Sequence, residues 1–123
     1  MAEHNDLGKQ AEDAAVEFLQ EKGYTVIARN FRWQKAEIDI IAEYPGMLII
    51  VEVKARSSEV FMEPQEAVNR RKMRLLIAAA DQFLEVNERR EEARFDIISV
   101  VSKKDGSMNI THIENAFEPY DAN

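Results

Sequence analysis

The stretch AEIDIIAEYPGMLIIVEVKAR, residues 36–56, decides how the rest of the chain is to be folded. Two apolar segments, Glu37 to Glu43 and Met47 to Ala55, flank Tyr44-Pro45-Gly46. Pro-Gly between two such segments is a turn signal, so they are predicted to pair antiparallel as a hairpin. With the turn centred on Pro45 and Gly46, Ile41 faces Ile50, Asp39 faces Glu52 and Glu37 faces Lys54. The second strand is nearly continuous apolar sequence, which predicts burial on both faces. Against that background, a carboxylate and an ammonium two residues apart at its end, Glu52 and Lys54, are conspicuous.

On the N-terminal side, Leu7, Ala11, Ala14, Ala15, Phe18 and Leu19 recur at helical spacing. They predict a helix from about Asp6 to Lys22, with Asn5 or Asp6 as its N-cap and Gly23 as its left-handed C-cap. Tyr24 to Trp33 alternates and is rich in β-branched and aromatic residues, which predicts a strand joined to the hairpin through Gln34 and Lys35. On the C-terminal side, residues 56–63 are polar, and Pro64 suits the first turn of a long helix to about Asn87. Val68, Leu75, Leu76, Ala79, Ala80, Phe83 and Leu84 form its apolar stripe, from which Arg70, Arg71 and Arg74 fall away. Arg94 to Val101 and Met108 to Ile113 read as two more strands around the turn Lys104-Asp105-Gly106-Ser107. From Glu114 the sequence has no period, and the tail is expected to fray or lie over the surface. The predicted fold is therefore α/β, a mixed sheet flanked by helices in the order α-β-β-β-α-β-β. A strand, a long helix and a further strand make a crossover, so the third and fourth strands are predicted to be parallel.

Composition narrows the class. A chain of 123 residues with 46% hydrophobic residues is long enough for one domain with a real core. The expected domain is 1–123, with an ordered core at about 6–117 and a tail at 118–123. Disulfide frameworks, thiolate zinc sites and cysteine nucleophiles are excluded because there is no cysteine. The longest apolar run, Leu75 to Ala80, falls far short of the roughly 20 residues of a membrane span. The polar, acidic start MAEHNDLGKQAED does not read as a secretory signal, so a cytoplasmic protein with no membrane partner is expected. A net charge of −7 disfavours a general affinity for nucleic acid. The distribution is uneven, however: residues 29–74 hold nine basic groups against seven acidic ones, while the flanks carry the acidic excess. A local basic face remains available.

Two carboxylates facing one another across a hairpin repel unless a cation or a proton joins them. Asp39 and Glu52, as hard oxygen ligands on neighbouring strands, suit Mg²⁺ or Mn²⁺ rather than zinc. An ion there lowers the pKa of a bound water and stabilises charge on a phosphate oxygen. Lys54 on the same face can orient that water or stabilise the developing charge, and Glu12, mid-way along the first helix, can reach the cluster. Spacing alone leaves a second reading equally open: a strand-end salt bridge of Glu37 or Glu52 with Lys54, and solvated acids elsewhere.

An acidic residue in the first helix, then EIDIIA, then VEVKAR, resembles the PD-(D/E)xK nuclease superfamily. The segments LGKQAEDAAVEFLQEKGYTVIARNFR, AEIDIIA, LIIVEVKAR, EPQEAV, RFDIISV and ITHIENAF resemble, in order and spacing, the YraN-like family of uncharacterised bacterial proteins. They span residues 7–117. The resemblance implies a restriction-endonuclease-like fold, close to that of Holliday-junction resolvases. It assigns Asp39 and Glu52 to the metal-binding acids, with the Val53 carbonyl beside them. Lys54 becomes the motif lysine and Glu12 the helical glutamate beside the metal, and Glu37 stands at the glutamate of the usual GEID. Usual glycines are replaced by Ala11, Ala36 and Met62, and Ile38 stands where the superfamily often has proline. The implied activity is metal-dependent cleavage of DNA, branched or single-stranded, with Mg²⁺ or Mn²⁺ as cofactor and a homodimer as the working unit. The alternative is a nucleic-acid-binding or protein-interaction module that keeps the nuclease fold without turnover.

Arg29, Arg32, Arg56, Arg71 and Lys72 are the candidate phosphate contacts; for Arg70, Arg71, Lys72 and Arg74, at the start of the second helix, the alternative is a solvated face paired with Glu63, Glu66 and other acids. Phe31 and Trp33 could stack on unpaired bases, although rings on an alternating strand more often enter the core. His4 and His112 lack partner motifs. No glycine-rich phosphate loop is present, which disfavours a nucleotide-binding enzyme.

Overall fold

The computed structural model describes residues 3–57 and 68–123, with side chains from Leu7 onward. The elements are α1 (Glu3–Glu21), β1 (Thr25–Trp33), β2 (Ala36–Tyr44), β3 (Met47–Ser57), α2 (Arg70–Val86), β4 (Glu92–Ser102) and β5 (Met108–Phe117), then a 3₁₀ turn, Pro119–Ala122. The five strands lie in sequence order, antiparallel throughout except for the parallel pair β3–β4. This is the α/β, restriction-endonuclease-like mixed sheet that the sequence predicts.

The hairpin register is the predicted one as far as Ile40–Val51, but the predicted facings of Asp39 with Glu52 and Glu37 with Lys54 lie beyond the end of the ladder. Tyr44 pairs with Met47, Ile41 with Ile50 and Ile40 with Val51. Pro45 and Gly46 form the two-residue turn, and Gly46 at φ 82° supplies the positive φ that a Pro-Gly turn requires at its second position. Ile41, Leu48 and Ile50 pack on the face with Leu76, Ala79, Ala80 and Phe83 of α2. Ile40, Ala42, Ile49 and Val51 pack on the opposite face with Ala11, Ala15 and Leu19 of α1. Sandwiched between two helices, β3 is buried on both sides, which is why its sequence does not alternate.

At the end of α1, Tyr24 N–H donates to Leu19 O at 3.0 Å and Gly23 N–H to Gln20 O at 3.1 Å, with Gly23 at φ 92°. This is the Schellman closure that the glycine anticipates. The start of α1 differs from expectation: the helix already runs at Glu3, so neither Asn5 nor Asp6 caps it. The second helix starts later than expected. Asn69 is its N-cap, accepting the Lys72 N–H at 2.8 Å, and Val68 precedes it outside the helix. Pro64, Met62, Glu63 and Glu66 lie outside the described residues.

The tail is the largest departure. Beyond Ile113 the fifth strand continues to Phe117, past an irregularity at which Asn115 adopts φ 52°. That kink breaks the two-residue alternation and hides the strand from a pattern reading. Phe117 is buried and stacks on Phe95 with ring centroids 4.9 Å apart. The following turn packs on α2: Arg74 Nη1 donates to Ala122 O at 2.7 Å, and Ala122 is buried.

Candidate functional site

β2 and β3 share a ladder only as far as Ile40–Val51. Beyond it, β2 continues beside β1 to the Trp33–Ala36 pair, while β3 continues beside β4 to Ser57–Ser102. The residue-for-residue pairing thus stops one pair short of Asp39 and Glu52, and the two strands fork there. Val53 N–H, which no strand can take up at the fork, donates instead to Asp39 Oδ2 at 2.8 Å. Alternation also breaks at this point: Ile38 packs on the α2 side and Ile40 on the α1 side. Asn30, facing Asp39 on β1, has φ 54°, a left-handed conformation unusual inside a strand.

The fork opens toward α1 as a cleft of about 710 Å³ lined by Gly8, Lys9, Glu12, Arg29, Asn30, Glu37 and Asp39. Glu12 is fixed by Arg29 Nη2 at 2.7 Å and Asn30 Nδ2 at 3.3 Å; with its amide turned over, Asn30 bridges Glu12 and Glu37 at 3.1 Å each. Burial, the charge of Glu52 and more weakly those of Glu12 and Glu37 push the Asp39 carboxyl up to about 7, against the lowering effect of the Val53 N–H. Asp39 thus resists full ionisation near neutrality.

Glu52 reaches the other way. It is 4% exposed, and its Oε2 lies 3.1 Å from Lys54 Nζ and 3.1 Å from Lys72 Nζ of α2. Its Oε1 is buried with no hydrogen-bond partner. A buried carboxylate oxygen without a partner is costly and fits a site for a cation. Among the described residues no three Asp, Glu or His side chains converge to hold a metal by themselves. The groups at the fork that could hold a hard cation are the carboxylates of Asp39 and Glu52, oxygen donors of the kind such an ion takes.

The sequence-predicted residues sort unevenly around this fork. Glu12, Glu37, Asp39 and Arg29 line or border the cleft, while Glu52, Lys54 and Lys72 cluster on the α2 side. Arg29 is clamped between Glu12 and Asp13, at 2.7 Å from each. Arg32 is exposed and lies 3.6 Å from Glu37, Arg56 is half-buried near the end of β3, and Arg71 is exposed on α2. Phe31 and Trp33 pack against the α2-side core, Phe31 edge-on to Phe83 at 5.2 Å. Ala11 and Ala36 are buried in the two cores and do not line the cleft, so their methyl groups leave it open.

Sequence reasoning passed over a second polar cluster. Asp96 on β4, 1% exposed, accepts two bonds from Arg94 (2.8 and 2.9 Å) and one from Asn115 N–H at 3.0 Å. His112 Nε2 lies 2.7 Å from Asp96 Oδ2, and Lys22 Nζ lies 2.8 Å from His112 Nδ1. A carboxylate only accepts and an ammonium only donates, which assigns the neutral Nε2–H tautomer to His112. Arg94 also donates to the Tyr24 hydroxyl at 2.7 Å. Burial pushes the Asp96 carboxyl up, but His112, Arg94 and the Asn115 N–H outweigh it and leave it below the usual range. The cluster ties the end of α1 to β4 and β5. The acid-apolar pattern RFDIISV was a signal for a buried carboxylate, but nothing in it named the partners.

The model of the uncharacterised protein family UPF0102 matches residues 11–100, nearly three quarters of the chain. The chain belongs to the UPF0102 family. It is 50% identical over 117 residues to a UPF0102 protein of Flavobacterium psychrophilum, covering 95% of this chain and 98% of that one. It is 48% identical over 119 residues to a UPF0102 protein of Bacteroides fragilis, covering 97% and 98%. A relative from Flavobacterium johnsoniae is 41% identical over 121 residues, covering 95% and 98%. The matched span takes in α1 from Ala11, the hairpin, α2 and most of β4, and so both sides of the fork. No helix of the described residues is long and apolar enough to cross a membrane.

Proposed function

We propose that this chain is a metal-dependent endonuclease that hydrolyses phosphodiester bonds of DNA, selecting branched or single-stranded structure. The observation that carries the reading is the acid pair at the fork of β2 and β3, half-buried Asp39 and buried Glu52, with an unpartnered Glu52 oxygen and Lys54 on the same carboxylate. A structural salt bridge needs neither the second acid nor the orphaned oxygen. Asp39, Glu52 and the Val53 carbonyl would hold Mg²⁺ or Mn²⁺, which supplies Lewis-acid stabilisation of the phosphate and a more acidic water.

Lys54, two residues from Glu52 and paired with it, orients the attacking water and stabilises charge as it develops on the phosphate. Glu12, fixed by Arg29 and Asn30 on the cleft wall, holds a further water in place. Arg32, Arg56 and Arg71 are the proposed contacts to the phosphate backbone. The overall charge of −7 confines that affinity to a local surface. The proposed working unit is a homodimer, since a duplex has two strands to cut, and the proposed compartment is the cytoplasm, where chromosomal DNA lies.

A second reading, a non-catalytic binding module, is favoured by one observation: two lysines already neutralise Glu52 with no metal needed. A cleavage assay with Mg²⁺ and Mn²⁺ on labelled single strands, linear duplex, flaps and a four-way junction separates the two. The nuclease reading expects cutting by the wild type, lost in Asp39→Asn and Glu52→Gln. Cutting that survives either change overturns the site, and salt-sensitive binding with neither cutting nor a metal requirement establishes the module.

A further inference from the structure

We propose that Lys72, on the first turn of α2, is a second phosphate-binding residue of the fork, and that it couples metal to phosphate through its ion pair with Glu52. The proposal rests on the metal-site reading given above. Three features of the cluster point to it. First, a single carboxylate oxygen, Glu52 Oε2, takes both ammonium groups at 3.1 Å, so one negative charge faces two positive ones. The surplus cation is unexplained by neutralising Glu52 alone. Second, the other oxygen of the same carboxylate is buried and unpartnered, although two strong donors stand beside it. Third, the two lysines come from different elements: Lys54 is fixed two residues along β3, whereas Lys72 is 38% exposed and extends from a helix start.

The α2 start adds to the positive field. Asn69 caps it, the first turn carries no acidic residue, and Arg70 and Arg71 lie exposed beside Lys72. A helix N-terminus with its unpaired N–H groups favours an anion, and a lysine there is a point-charge partner for phosphate. Here the anion already in reach is Glu52, so the lysine sits on the carboxylate in place of a phosphate.

The consequence is competition at one carboxylate. A cation that takes up Glu52 displaces Lys72, whose freed ammonium then needs an anion, and a phosphodiester oxygen of DNA supplies it. A phosphate that draws Lys72 away strips a competing charge from Glu52 in turn. Coupling of this kind is reciprocal: each ligand raises the affinity for the other by the same factor.

The test uses the full chain, Mn²⁺ alone and a labelled four-way-junction DNA. In calorimetric titration with Mn²⁺, Lys72→Met is expected to bind the ion about fivefold or more tightly than wild type, because the competing ammonium is gone. In fluorescence anisotropy, Mn²⁺ is expected to strengthen junction binding by wild type and by Lys72→Arg, with that gain lost in Lys72→Met. Thermal unfolding of both variants checks that the fold is kept. Unchanged or weaker Mn²⁺ binding in Lys72→Met, or a metal-dependent gain in DNA binding that survives the change, overturns the role of Lys72 while leaving the metal site standing. Absence of Mn²⁺ binding by the wild type overturns the coupling and the metal site together.

Discussion

Replacing Asp39 by Asn should stabilise the metal-free protein above neutral pH, an unusual outcome for a change at a candidate active site. Burial and the charge of Glu52 raise the Asp39 carboxyl from 3.8 to about 7. A group raised in the folded state contributes its full stability below its unfolded pKa and loses it as pH rises through the folded one. At 1.36 kcal/mol per pH unit, ionising Asp39 costs at most about 4 kcal/mol by pH 8. The carboxyl is half-buried beside an open cleft, so screening reduces the expected cost to about 1–2 kcal/mol. An Asn side chain has the same shape and cannot ionise, and its oxygen can still accept the Val53 N–H that Asp39 accepts. Urea unfolding of both proteins in EDTA between about pH 3.5 and 8 measures the difference. The Asp39→Asn variant should match the wild type below about pH 4, gain on it as pH rises from about 4 to 7, and exceed it by that amount at pH 8, with Mn²⁺ restoring the wild type alone. A variant less stable than wild type at pH 8, or a difference independent of pH, refutes the electrostatic account.

Other expectations follow from the rest of the structure. Asp96→Ala strands Arg94 and removes the acceptor for His112 and Asn115, and should cost about 3–5 kcal/mol by chemical denaturation. Because the folded Asp96 carboxyl lies below its unfolded value, its contribution is present at neutral pH and fades as pH falls below about 4. Asp96→Asn should lack that acid-dependent loss, seen as a flatter stability curve below pH 5. Phe117→Ala should destabilise by about 3 kcal/mol through loss of the buried stack on Phe95, where a frayed tail would show no change. Gly23→Ala meets open space but must hold φ 92°, so calorimetry should show a loss of about 1–2 kcal/mol of purely backbone origin.

Much of this fold is legible because local signals agree with the tertiary arrangement. Pro45-Gly46 sets the register, and the unbroken apolar run of β3 announces a strand covered by helices on both faces. Asp39, Glu52 and Lys54 could be picked out from their places on those strands together with family likeness. What stayed hidden depends on positions that sequence distance does not encode. Lys72 reaches Glu52 only because of how α2 is rotated against the sheet. Lys22 and His112 are 90 residues apart, and His112 meets Asp96 next to an irregular stretch of β5. The left-handed residues Asn30 and Asn115 break alternation where a pattern reading needs it, the second hiding the last turns of the chain. Arg29 reads as a free cation in the sequence, yet two carboxylates of α1 hold it.

The parting of β2 and β3 bears on how the family's sequences should be read. A side-chain acceptor at position 39 closes off a backbone donor left over by the fork, so a descendant that had lost all chemistry would still be selected to keep Asp or Asn there. Persistence of an acid at that position is therefore a poor witness to activity. Glu52 and its lysines are the better one: apolar residues of similar volume would serve the fold as well as a buried ion pair does. A lineage that keeps all three charges is keeping them for something other than stability.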